Sequence, residues 1–178
     1  MPQPLQKLID DVASLLAQKK QRIVFAESCT AGLVSAIMAR VPGISDYHCG
    51  SAVVYRLDTK SHWLGIPASL LIVPGPVSEP IARLMAEGVL ERTPEAGMSA
   101  AITGHLGPHA PIALDGLVYI GIAVRGQTCR VSEHRLLNQP QPKTDSTFPG
   151  DTSREQRQWA AAELVLTAVA ATLKLLPD

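Results

Sequence analysis

The segment from Arg22 to Arg40 constrains the fold of this chain more than any other. A short β-prone run, "RIVFA" (22–26), is followed by "ESCTAG" and then by Leu33, Val34, Ile37 and Met38 along one helical face. Apolar residues three and four apart cover one side of a helix, while a brief β-branched and aromatic run suits a buried strand. A strand that feeds straight into a helix argues against an all-helical bundle and for helices packed on a sheet.

The same alternation recurs along the chain. Leu5, Leu8, Ile9, Val12, Leu15 and Leu16 keep helical spacing before the strand, and "VPGIS" (41–45) ends the helix after it. "GSAVVY" (50–55) is a second strand candidate, and "RLDTKSHWLGIP" (56–67) is too polar and irregular to continue it. A helix opens at Ser78, with Pro80 in its first turn and Ile81, Leu84, Met85 and Val89 as its buried stripe. "MSAAI" (98–102) predicts a third strand running into "TGHLGP", and "GLVYIGIAV" (116–124) a strand covered on both faces. "RGQ" turns that strand into the alternating "TCRVSEHRL", which predicts a β-hairpin.

Residues 138–152, with three prolines, read as a loop. A last helix should begin near Ser153, with Gln156 returning a capping bond, and reach about Leu176. The expected architecture is α/β: a single three-layer α/β/α domain over residues 1–178 with a mixed sheet.

Sixteen basic residues balance sixteen acidic ones. Zero net charge gives no support to nucleic acid or an anionic membrane as partner, since both favour a positive excess. No run approaches the length needed to span a bilayer, and Asp10 and Asp11 interrupt the apolar N-terminus, so a cytoplasmic protein is expected. Cys29, Cys49 and Cys129 are odd in number and widely spaced, which suits free thiols in a reducing compartment. His105 and His109 are four apart, but Gly107 and Pro108 between them break a shared helical face, so neither metal nor cofactor is expected. Trp63, Trp159 and Phe148 read as packing or interface groups, and the apolar C-terminal helix offers a surface for homo-oligomer formation.

"ESCTAG" places Ser28 and Cys29 at the strand-to-helix connection. Amides near Thr30 and Ala31 at a helix start can receive negative charge developing on an acyl oxygen. A serine needs a base to attack, and Lys60 just past the second strand, with Tyr55 five residues earlier, would reach the same strand-end crevice if the two strands are neighbours. A lysine serves as base only when its pKa is lowered. "ITGHLGP" (102–108) adds Thr103 and the backbone freedom of Gly104 and Gly107. The alternatives are equally local: Ser28 or Thr30 as a helix cap, Lys60 as a solvated side chain, and the glycine-rich stretch as a structural turn.

Taken together, "AESCTAG" (26–32), "VPGIS" (41–45), "VVYRLDTK" (53–60), "LGI" (64–66), "GPVSEPIARLMAEGVL" (75–90) and "ITGHLGP" (102–108) resemble the CinA C-terminal domain family across nearly the whole chain. The resemblance implies a nicotinamide mononucleotide amidohydrolase that turns the nucleotide carboxamide into a carboxylate and releases ammonia. It implies Ser28 as nucleophile, Lys60 as base and Tyr55 as proton relay or substrate contact, with Cys29 pointing into the core. Thr30, Ala31, Gly50, Thr103, Gly104, Arg154 and Arg157 are the implied substrate contacts. The chain departs from the family pattern at Ala31, Cys49, Val54, Leu57, His105 and Leu106, and "GDTSREQR" (150–157) replaces the familiar "GDR" followed by a second arginine. A lost arginine would remove a bidentate phosphate partner, so an inactive relative retained for binding or assembly stands as the alternative.

Overall fold

The structure, a computed structural model, describes residues 3–107, 110–136 and 152–177. The 138–151 stretch, Phe148 and His109 lie outside the described residues. In chain order the elements are α1 (Gln3–Gln18), β1 (Ile23–Glu27), α2 (Leu33–Met38), β2 (His48–Val53), α3 (Leu57–Leu64) and α4 (Ala68–Ile72). These are followed by α5 (Glu79–Glu91), β3 (Met98–Gly104), β4 (Leu117–Val124), β5 (Arg130–Arg135) and α6 (Thr152–Leu175).

The strands form one mixed sheet in the order β2-β1-β3-β4-β5. β1 pairs in parallel with β2 and with β3, while β4 and β5 are antiparallel to their neighbours. All five residues of β1 are buried, and alternate side chains feed opposite layers. Ile23 and Phe25 join a core with α1, α2 and α6, whereas Val24 and Ala26 join one with α3 and α5. Helices on both faces explain why β1 reads as a continuous apolar run rather than an alternating one. Parallel strands demand crossovers, so β1, β2 and β3 all end at the same edge of the sheet. The chain leaves β1 toward β2 on one side and returns as β3 on the other, which opens a crevice beyond the carboxyl end of β1.

Three local readings are corrected. Residues 57–64, too polar and irregular in sequence to be given an element, form a helix: Lys60 and Leu64 are its buried residues, so its inward face carries a lysine that an apolar-periodicity reading counts as polar. The helix after β1 begins at Leu33, not near Thr30, with residues 28–32 forming a turn ahead of it. Ser78 stands at the N-cap of α5, yet its hydroxyl donates to the Gly75 carbonyl at 2.8 Å instead of capping the helix. α5 also fixes α3 in place. A Cβ on Gly88 would lie 2.5 Å from the Leu64 carbonyl oxygen, so only glycine allows the two helices to approach this closely. Among the described residues no helix is long and apolar enough to cross a membrane.

Candidate active site

Beyond the ends of β1, β2 and β3 lies a cleft of about 550 Å³ whose wall includes Ser28, Tyr55, Lys60, Thr103, Gly104 and Arg154. Ser28 is the first residue after β1, and its amide donates to the Ile102 carbonyl of β3 at 3.1 Å. Lys60 reaches it from the middle of α3. The Lys60 Nζ donates to Ser28 Oγ at 2.8 Å and to the Val54 carbonyl at 2.7 Å. Lys60 is only 2% exposed, and this desolvation pulls its pKa down to about 8. About a tenth of the amine is therefore neutral at pH 7, and the Val54 carbonyl holds one N–H so that the lone pair can face Ser28.

Cys29 differs from its neighbour. It is 4% exposed and packs into the core with α2 and α6, and burial pushes its thiol pKa up to about 12. A thiol held that firmly in its protonated form is a poor nucleophile.

Glu27 is the residue beside this site that sequence reasoning missed. Its carboxylate is 1% exposed and accepts five bonds. Oε2 takes the Thr30 hydroxyl at 2.8 Å and the amides of Gly32 and Val34 at 3.0 Å. Oε1 takes the Ser35 amide at 2.9 Å and the Ser51 hydroxyl at 3.0 Å. A signal for it was present in the quoted motif: a carboxylate at the end of a buried strand, just ahead of a helix whose first amides need acceptors.

Those bonds change which backbone donors are open. The helix-start amides of Gly32, Val34 and Ser35 are occupied by Glu27, and the Ala31 amide donates to the Ser28 carbonyl at 3.0 Å. The amides of Cys29 and Thr30 donate to no backbone carbonyl among the described residues. The expected donor pair near Thr30 and Ala31 is thus shifted by one residue toward Ser28.

The remaining sequence candidates separate cleanly. Tyr55 is half exposed at the cleft, and its hydroxyl accepts from Arg154 Nη2 at 2.9 Å. Arg154 also donates to the Gly107 carbonyl, so it bridges the glycine-rich loop and the end of β2. Thr103 donates to the Pro76 carbonyl at 2.8 Å. Thr30, Ala31, Gly50 and Arg157, expected as substrate contacts, do not line the cleft. The Thr30 hydroxyl is committed to Glu27, Ala31 faces solvent, and Gly50 sits inside β2. Arg157 is 6% exposed and makes a bidentate pair with Asp115 at 2.7 and 2.8 Å.

Comparison with known proteins bears on this geometry. A family model described as the CinA C-terminal domain matches residues 5–146. The CinA-like protein of Mycobacterium sp. (strain JLS) is 40% identical over 165 residues, covering 91% of this chain and 36% of that protein. The CinA-like protein of Dictyoglomus thermophilum is 42% identical over 119 residues, 65% of this chain and 28% of its own length. The chain thus spans about a third of the curated relatives it matches. Among solved structures, the competence/damage inducible protein CihA from Agrobacterium tumefaciens superposes with a TM-score of 0.83 at 26% identity, over 98% of each chain. The CinA superfamily protein KP700603 from Klebsiella pneumoniae shares the fold, with a TM-score of 0.82 at 24% identity over 97% of this chain and 99% of that one. The mixed sheet and the match over most of the sequence lead to one conclusion: this chain belongs to the CinA C-terminal domain family.

Proposed function

We propose that the chain is a metal-independent amidohydrolase that converts nicotinamide mononucleotide to the corresponding carboxylate and ammonia. One contact carries the proposal: a buried amine with a lowered pKa stands 2.8 Å from a serine hydroxyl at the wall of an open cleft. Neutral Lys60 takes the Ser28 proton as Oγ bonds to the amide carbon. The amides of Cys29 and Thr30 receive the charge on the acyl oxygen. The C–N bond then breaks, the nitrogen takes the proton held by the Lys60 ammonium, directly or relayed through Tyr55, and ammonia leaves a seryl ester and a neutral Lys60 amine. Water, deprotonated by Lys60, opens the ester, returns the hydroxyl to Ser28 and frees the carboxylate. Arg154, at the cleft wall, would meet the nucleotide phosphate, and family likeness points to the nicotinamide nucleotide itself.

An ammonia-release assay on nicotinamide mononucleotide tests this. Ser28→Ala should lower turnover at least about 10³-fold, in the range seen when a nucleophile is removed, and remain folded. Cys29→Ser should retain turnover within about an order of magnitude, since an inert thiol contributes no covalent step. Loss of catalysis in the Cys29 variant but not the Ser28 variant would overturn the assignment. A folded wild-type chain that binds the nucleotide and releases no ammonia would be a binding protein instead.

A further inference from the structure

Glu27 has no step in the proposed chemistry, yet both members of the Ser28–Lys60 pair are held with reference to it. Its backbone carbonyl accepts the Val54 amide at 2.8 Å, and the Val54 carbonyl in turn accepts Lys60 Nζ. Its side chain gathers Thr30, Gly32, Val34 and Ser35, which are the turn and helix start that follow the nucleophile. Ser51 adds a tie to β2, the strand that leads to Val54. Removing one turn of this arrangement would release the Ser28 hydroxyl and the Lys60 amine from a common frame.

We propose that Glu27 is a positioning residue: its carboxylate locks the 28–32 turn so that Ser28 Oγ stays within reach of Lys60 Nζ and the Cys29 and Thr30 amides stay open. The inference rests on the Ser28–Lys60 reading above. Two features require a carboxylate at this place. Five donors converge on two oxygens, a number an amide cannot accept, because its nitrogen would face donors in place of one oxygen. The carboxylate also accepts from the Val34 and Ser35 amides in the first turn of α2, donors that have no acceptor within the helix. By occupying the Gly32, Val34 and Ser35 amides, Glu27 keeps the helix start from competing for the acyl oxygen. It acts on geometry rather than on proton affinity, since burial is the main cause of the low Lys60 pKa and Glu27 is not among the causes.

The test compares wild type, Ser28→Ala, Glu27→Gln and Thr30→Val in two assays. The first is labelling by a serine-directed fluorophosphonate, with the modified residue located by peptide mass spectrometry. The second is steady-state ammonia release from nicotinamide mononucleotide. Wild type should label at Ser28 and the Ser28→Ala variant should not. Glu27→Gln should label roughly 10- to 100-fold more slowly and lose kcat by a similar factor with KM unchanged, as expected for an ångström-scale misplacement of a reacting group. The pH midpoint of kcat should not move. Thr30→Val, which removes one donor and keeps the carboxylate, should show a smaller loss of kcat with the same KM. It decides the matter if Glu27→Gln fails to fold. Labelling and kcat at wild-type levels in a folded Glu27→Gln protein, or in Thr30→Val where the other is unfolded, would overturn the positioning role. An unlabelled wild type that releases no ammonia would overturn the Ser28–Lys60 reading itself, and the inference with it.

Discussion

At the end of the sheet where β1, β2 and β3 finish, Glu27, Ser28, Thr30, Lys60 and Thr103 are buried, and the side chain of each is hydrogen-bonded to a named partner. At the opposite end, Arg22 meets Glu95 at 3.3 Å with side chains 51% and 60% exposed, beside a second, open pocket of about 450 Å³. Both ends carry charge, but only the first has taken it out of water. A charge shielded from solvent has a shifted proton affinity and a fixed set of partners, whereas an exposed pair is screened and exchanges its partners with water. Chemistry is therefore expected at the first end, and mutations at the two ends should differ in kind as well as in size.

After loss of the Ser28 nucleophile, the largest effect expected is at Lys60. Lys60→Met should lower turnover by about 10²- to 10⁴-fold, the usual contribution of a general base. In the wild type, kcat should rise with pH through about 8, as the ammonium loses its proton. Stability should carry the same signature. The folded-state pKa is lowered from 10.5 to about 8, so between those values the unfolded chain holds a proton that the folded chain has released. Wild-type stability relative to Lys60→Met should therefore increase as pH rises across that window, by up to about 3 kcal/mol, as urea titrations at several pH values will show. A flat difference would mean that Lys60 is no more desolvated than Arg22.

Asp115→Asn should cost about 1 kcal/mol, discounted because the Asp115 side chain is 40% exposed and screened. KM should stay unchanged, since Arg157 holds Asp115 rather than lining the cleft. A raised KM would restore Arg157 as a substrate contact. Ala31→Gly should gain about 0.5 kcal/mol in thermal melts, the left-handed strain of alanine at φ 55° less the added flexibility of glycine. The smallest change is expected at the opposite end, where Glu95→Ala should shift stability by less than about 0.5 kcal/mol.

The regularly covered elements were legible in the sequence. β1, β3 and β4 are buried runs, and α1, α5 and α6 carry apolar stripes, so local pattern alone located them to within a few residues. α3 was not legible, because its inward face is made by Lys60 and Leu64 and has no apolar stripe to find. The five-residue α4 went unread for want of length to establish a period. At the cleft, Ser28, Lys60 and Tyr55 could be named from motif and order. Glu27 was passed over because its importance lies in five donors drawn from α2, β2 and the intervening turn. The two C-terminal arginines could not be told apart either: they lie three residues apart on α6, and only their neighbours send Arg154 to the cleft and Arg157 to Asp115.

By itself the sequence determined the succession of strands and helices and which reactive side chains stand at the strand ends. Periodicity suffices for this, because it records which face of each segment leaves water. Tertiary structure alone decided that an amine and a hydroxyl 32 residues apart would touch, that the amine would be drawn toward its neutral form, and that burial would push the Cys29 thiol pKa up. Desolvation and hydrogen-bond partners are set by what other elements place around a group, and no local pattern carries that information.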